Sequence, residues 1–216
     1  MDTVRIVLAD DHNILRDGLR LLLERQPGFV VIGEAGNGRE AVNLAEELKP
    51  DVVVMDIAMP ELNGIEATRR IVNGLPHTSV VILSMHHDES YVARALKAGA
   101  RGYLLKDSLK SDLLNAVRAV TEGRSFFSPK ISRILQEDYM RKLTDGDGDD
   151  SFDLLTDRER EILQLVAEGK TNKEVANLLN LSVHTIDTHR GNILQKLNLH
   201  SVPELILYAV RKKIIA

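Results

Sequence analysis

Cysteine and tryptophan are absent from this chain of 216 residues, and four phenylalanines and four tyrosines are its only large aromatics. Without cysteine there are no disulfides and no thiolate metal sites. Long apolar runs are missing too: the longest fall far below the length that spans a bilayer. The amino-terminal stretch is acidic and strand-like rather than built as a signal peptide, so a cytoplasmic protein with no membrane association is expected. A strong excess of positive charge is also lacking. Net charge is −4 at pH 7, residues 1–122 carry more acid than base, and residues 153–216 are close to balanced. Charge alone therefore does not announce nucleic-acid binding. A chain of this length is expected to form one or two domains with sizeable cores.

What is present is a set of four short apolar runs, each ending in polar residues. Val4–Ala9 runs into Asp10-Asp11, Val52–Met55 into Asp56, Val80–Leu83 into Ser84, and Gly102–Leu105 into Lys106. Amphipathic stretches separate them, with helices expected at Ile14–Glu24, Gly38–Glu47, Ile65–Val72, Ser90–Ala98 and Leu109–Thr121. This alternation predicts a doubly wound (βα)5 parallel sheet, an α/β architecture of flavodoxin-like type. Ligands of open α/β sheets bind at the carboxyl ends of the strands, where strand order reverses. Any one of these carboxylates alone would be an ordinary turn former or helix cap, Ser84 alone a turn residue, and Lys106 alone a solvated charge near a turn. Together, three carboxylates, a hydroxyl and an ammonium are expected to converge on one pocket.

The alternation ends at Gly123-Arg124-Ser125, after which Pro129 suits the first turn of a helix over Lys130–Lys142. The stretch from Asp145 to Asp150 is acidic and glycine-punctuated. It lacks the glutamate and flanking helices of a calcium loop, and a flexible linker is the better reading. Domains are therefore expected at 1–122 and 153–216, with a helical and flexible linker over 123–152. The last part shows no strand pattern but strong helix punctuation. Thr156-Asp157-Arg158-Glu159 and Thr171-Asn172-Lys173-Glu174 are capping boxes, Gly169 and Asn180 are stop signals, and Ser182 caps a third helix. A fourth helix spans Val202–Lys213. Two short helices joined by a tight turn describe a helix-turn-helix.

On these residues both halves resemble known families. Residues 1–122 resemble the receiver domain of two-component response regulators, through Asp10-Asp11, the stretch from Val54 through Asp56 to Gly64, Ser84 and Lys106. Residues 153–216 resemble the LuxR-type helix-turn-helix, through Leu155–Leu163 and the pattern Leu181-Ser182, Thr185-Ile186, His189, Asn192-Ile193, Lys196-Leu197. The order is that of NarL/FixJ-type transcription regulators. The resemblance implies that a sensor histidine kinase phosphorylates Asp56, and that Asp11, Asp56 and the Ala58 backbone carbonyl ligate Mg²⁺, with Asp10 assisting through a metal-bound water. It further implies that Lys106 neutralises the phosphoryl charge, that Ser84 hydrogen-bonds it, and that Tyr103 enters space freed by Ser84. Phosphoryl transfer to a carboxylate needs such charge neutralisation. As a residue, Tyr103 is either a half-buried sheet aromatic or this switch. No enzyme beyond phosphoryl acceptance and slow self-hydrolysis is expected. A phosphatase using Asp56 as nucleophile, as haloacid-dehalogenase-like enzymes do, would want an Asp where Ala58 stands. A phosphate-independent interaction module would want a degraded acidic pocket.

Two departures stand out. Asp107 and Ser108, not proline, follow Lys106, and His86 and Ala58 flank the phosphoryl site, where they are expected to tune hydrolysis. His77, His86 and His87 lack the ligand spacing of a zinc site and are read as surface residues. On the third helix of the last part, His184, Thr188, Gly191, Asn192 and Gln195 fall opposite the apolar stripe of Ile186, Ile193 and Leu197. That uncharged, slender face suits a major groove of double-stranded DNA. Lys173, Lys196, Thr171, Ser182 and Thr185 are candidate phosphate contacts. Arg190 is expected in an internal ion pair with Glu159 or Glu161. Leu205, Ile206 and Ala209 are either core or the seam of a homodimer.

Overall fold

A computed structural model describes residues 3–85, 88–107, 109–145 and 151–215. The Val-, Ile- and Leu-rich runs become strands because β-branched side chains fit a pleated surface buried on both faces. The first unit runs β1 (Val4–Ala9), α1 (Asn13–Glu24), β2 (Phe29–Ala35), α2 (Gly38–Leu48), β3 (Val52–Asp56) and α3 (Gly64–Gly74). It continues through β4 (Ser79–Ser84), α4 (Glu89–Lys97), β5 (Gly102–Leu105), α5 (Leu109–Thr121), β6 (Phe126–Phe127) and α6 (Pro129–Asp145). The strands lie in the order β2-β1-β3-β4-β5-β6, and every pairing is parallel.

Successive residues of each strand feed opposite faces of the sheet. Val7, Val53, Met55, Ile82 and Tyr103 join one apolar cluster with residues of α2, α3 and α4, among them Ala41, Ile65 and Val92. Ile6, Leu8, Val54, Val81 and Leu104 join a second with Leu19 and Leu23 of α1 and Leu113 and Val117 of α5. Burial on both sides is why these runs carry no polar alternation. The chain leaves β1 for β2 on one side and returns to β3 on the other, so strand order reverses at β1. Ala9 pairs with Met55, which brings the carboxyl ends of β1 and β3 level at the reversal. Asp10 and Asp56 emerge there.

Glycine is required where α3 starts. A Cβ on Gly64 would lie 1.9 Å from the Asp56 carbonyl oxygen, so any side chain would push α3 away from the acidic strand end. The five-stranded expectation is extended by β6. The break at Gly123-Arg124-Ser125 is a turn into a two-residue strand that pairs Phe126 and Phe127 with Gly102 and Tyr103. Two residues are too few for any periodicity to register. Beyond it, α6 does not stand apart as a free linker: Ile131 is fully buried in the cluster of α2–α4, with Ile134 and Leu135 packed against it.

The chain falls into two compact units, Met1–Gly146 and Asp147–Ala216. Of the acidic stretch only Asp145 is described, as the last residue of α6, and 146–150 lie outside the described residues. The second unit opens with a 3₁₀ turn, Ser151–Leu154, followed by α7 (Asp157–Ala167), α8 (Asn172–Leu179), α9 (Val183–Lys196) and α10 (Val202–Arg211). Both capping boxes form, and Ser182 and Ser201 cap α9 and α10 through the amides of Thr185 and Glu204. Asn180 closes α8 in the left-handed conformation, which its short polar side chain tolerates. Ile162, Leu163, Val175, Ile186, Ile193, Leu205 and Ala209 form a core of the unit's own.

Candidate functional site

The strand ends and the loop after β1 bring Asp10, Asp11, His12, Asp56 and Lys106 together. Asp10 and Asp56 are buried, at 1 % and 3 % exposure. Lys106, one residue past β5, reaches back between them: its Nζ lies 2.8 Å from Asp10 Oδ2 and 2.9 Å from Asp56 Oδ2. The Ile57 amide donates to Asp56 Oδ1 at 2.8 Å. Asp11 lies nearer solvent, 2.7 Å from the Nδ1 of the exposed His12, whose own amide donates to Asp10 Oδ1 at 2.9 Å. Asp10, Asp11, His12 and Asp56 each offer a donor atom, and these lie within 4.8 Å of one another. A cluster dominated by carboxylate oxygen suits a hard divalent cation.

The electrostatics follow from this crowding. Burial pushes the Asp56 carboxyl up to about 6, against the pull of Lys106 and with a contribution from nearby Asp10. Burial opposes the charge on Lys106, but Asp56 and Asp10 outweigh it and hold the ammonium above its usual range. Asp56 is therefore a carboxylate short of positive charge, and one cation at the mouth of the site would supply it. At neutral pH it remains largely ionised, as a nucleophile must be.

Ser84 ends β4, buried at 1 % exposure, and its carbonyl accepts from the Lys106 amide at 2.9 Å. Tyr103 is fully buried rather than half-buried, because its face of the sheet is covered by the cluster that holds Tyr91, Val92 and Ala95 of α4 and Ile131 of α6. Burial holds its phenol well above the usual range, with a hydrogen bond to Ser84 opposing. Ala58 is exposed, two residues past Asp56. His86, His87 and Ser108 lie outside the described residues. Two residues near the acidic pair escape a reading by strand ends. His12 lies beside both carboxylates, and Arg16, one helical turn later, donates to the Asp10 backbone carbonyl at 2.7 Å. Their signal is the i, i+4 spacing from the acidic loop into the first turn of α1.

In the second unit α9 exposes His184, Thr188, Gly191, Asn192 and Gln195 on the side away from buried Ile186 and Ile193. Lys173 and Ser182 are exposed and Thr185 is partly so. Lys196 is committed elsewhere, with its Nζ 2.7 Å from Glu159 Oε2 on α7. Arg190 does not pair with Glu159 or Glu161. Lys196 takes the first, Arg158 takes the second at 2.8 Å, and Arg190 bonds Asn172 at the start of α8 instead. Asn172 also donates to Asp187, so the one acid of the α9 surface is tied to α8. Leu205 and Ala209 of α10 are core, Ile206 is half-buried, and the exposed apolar residues of that helix are Leu207 and Val210.

Known proteins share this arrangement. Residues 6–118 match the response regulator receiver domain, and residues 153–209 match the bacterial regulatory proteins of the luxR family. The oxygen regulatory protein NreC of Staphylococcus carnosus is 40 % identical over 216 residues, covering 98 % of this chain and 99 % of that protein. Among solved structures, a LuxR-family two-component response regulator from an Aurantimonas species is 41 % identical, with a TM-score of 0.62 over 64 % of this chain and 99 % of that one. The response regulator RcsB in complex with DNA is 27 % identical, with a TM-score of 0.60 over 97 % and 98 %. Receiver fold, acidic strand ends and a capped helix-turn-helix in this order identify the chain as a member of the NarL/FixJ family of two-component response regulators, a receiver domain followed by a LuxR-type DNA-binding domain.

Proposed function

We propose that this protein is a cytoplasmic transcription regulator switched by phosphoryl transfer from a sensor histidine kinase to Asp56. The observation that carries the reading is the geometry around Lys106: one buried ammonium bridges two buried carboxylates of adjacent strand ends. A carboxylate oxygen of Asp56 attacks phosphorus, the nitrogen–phosphorus bond of the donor breaks, and the imidazole nitrogen keeps the electron pair. Lys106 then transfers its contact from Asp56 to a phosphoryl oxygen, while Asp10 holds it in place. Mg²⁺ is the ion proposed for the acidic cluster, on Asp11, Asp56 and the Ala58 carbonyl, with Asp10 acting through water; it would neutralise the remaining equatorial charge. Ser84 donates to the phosphoryl group and gives up its bond to Tyr103, which makes the buried phenol the sensor of the change. No turnover beyond this transfer and slow self-hydrolysis is proposed.

The output is double-stranded DNA, read in the major groove by the exposed face of α9, with Lys173 and the hydroxyls of Ser182 and Thr185 near phosphate. A homodimer through the exposed residues of α10 would place two such helices on two half-sites. The RcsB–DNA complex supports this reading of the second unit. Labelling by a small-molecule phosphodonor tests the first half. Asp56→Asn is nearly isosteric and is expected to abolish carboxylate labelling while leaving the fold intact. Undiminished labelling of the variant would remove Asp56 as acceptor.

A further inference from the structure

We propose that Arg16 is a positioning residue for the proposed metal site, and that it works by clamping the β1–α1 loop to the end of β2. The inference rests on the metal reading above and concerns a residue that contacts neither cation nor phosphoryl group.

The loop that carries the acidic pair is only three residues long, Asp10 to His12. The Asp10 peptide is pinned on both sides. Its amide donates to the Ala35 carbonyl of β2 at 3.1 Å, and its carbonyl accepts from Arg16 Nη1 at 2.7 Å. The same guanidinium donates through Nη2 to Asn13 Oδ1 at 3.0 Å, at the first residue of α1, and through Nε to Glu34 Oε2 at 3.0 Å, near the end of β2. Arg16 is mostly buried, at 16 % side-chain exposure. Each of its three nitrogens thus holds a different element: the strand-end loop, the helix start and the neighbouring strand. Glu34 is steadied in turn by Arg20 Nη1 at 2.8 Å.

The consequence follows from what the cation demands. Mg²⁺ takes ligands at 2.0–2.1 Å in near-ideal octahedral geometry, so a small drift of the loop costs affinity directly. Asp56 is held by β3 and by the Ile57 amide, but Asp11 has no strand beneath it. Its position depends on the Asp10 peptide before it and the His12 turn after it, and Arg16 fixes the first. Lysine cannot replace this clamp, because its three N–H donors share one nitrogen and cannot span the acceptors that Arg16 reaches from three separate nitrogens.

The test measures binding of Mg²⁺ alone to the full-length, metal-stripped protein by calorimetry. Arg16→Ala and Arg16→Lys are both expected to weaken binding about 10-fold, the lower end of the range for partners behind metal ligands. Glu34→Gln, which leaves the arginine bonds to the loop intact, is expected to move affinity the same way by less than the Arg16 variants do. The double variant Arg16→Ala with Glu34→Gln is expected to be no worse than Arg16→Ala, since both act through one clamp. At saturating Mg²⁺ the rate of phosphodonor labelling should return close to wild type, which a generally damaged fold would not allow. Unchanged affinity in both Arg16 variants, tighter binding on removal of the positive charge, rescue by lysine, or additive losses would each overturn the clamp. If wild-type protein bound no Mg²⁺, the metal reading itself would fall, and the clamp with it. Should Arg16→Ala melt before it can be titrated, Arg16→Lys and Glu34→Gln carry the test.

Discussion

Asp56 shows how one residue is set against its own stability for the sake of its chemistry. Burial among carboxylates lifts it from 3.8 to about 6, a native-state penalty on the charged form of about 3 kcal/mol at most. The sign of the pH effect follows. Between about pH 4 and pH 6 the folded chain holds a proton on Asp56 that the unfolded chain has released, so stability falls as pH rises through that window. Above it the loss is complete and flat. Thermal melts of metal-free protein should therefore show wild type losing ground to Asp56→Asn between pH 4 and pH 6, with no further divergence at pH 7. Added Mg²⁺ at pH 7 should raise the melting temperature of wild type more than that of the variant, because only wild type has the charge to neutralise. Parallel pH curves for the two proteins would mean that the carboxyl is not desolvated as described.

At the scale of elements, the features with a strong local signal are the ones legible in the chain. The apolar runs ending at Asp10, Asp56, Ser84 and Lys106 specify strands because a central parallel strand must be apolar on both faces. The capping boxes at Thr156 and Thr171 mark α7 and α8 because a first turn must satisfy its own amides. What was not legible depends on neighbours. β6 forms where Phe126 and Phe127 meet the edge of β5, Tyr103 is buried by residues of α4 and α6 distant in sequence, and Arg190 bonds Asn172 while Lys196 and Arg158 hold the two glutamates. This rearrangement also separates the two lysines near α9. Lys173 is exposed at the start of α8, whereas Lys196 is paired with Glu159. Lys173→Ala should weaken binding to all DNA sequences alike and lower the magnitude of the salt slope by about one. Thr188→Ala, on the uncharged face of α9, should instead change preference among sites. Binding titrations at several salt concentrations, on specific and random duplexes, separate the two effects. Equal loss of sequence preference in both variants would argue against α9 in the groove.

At the scale of the whole molecule, two units with separate cores must communicate for phosphorylation to matter. The acidic receiver exceeds the DNA-binding unit in size, and the segment joining them is short. If the unphosphorylated receiver withholds the second unit from DNA, a fragment spanning Ser151 to the end of the chain should bind target DNA more tightly than the unphosphorylated full-length protein. The fragment retains the buried cluster of Ile162, Ile186, Ile193 and Leu205, so it has the means to fold. A coupling of about 1–3 kcal/mol is ordinary for such a switch, which is about 5–150-fold in affinity. Beryllofluoride, standing in for the phosphoryl group on Asp56, should close most of that gap in the full chain by shifting its population towards the competent state. Lys106→Ala should leave the gap open, since the bound group loses the ammonium that reports it. The readout is DNA affinity of fragment, full chain and variant, each with and without the mimic. A fragment that binds much more weakly than the unphosphorylated full chain would exclude occlusion. Control would then lie in pairing of whole chains, and the affinity of the full-length protein should rise with its concentration as dimers form.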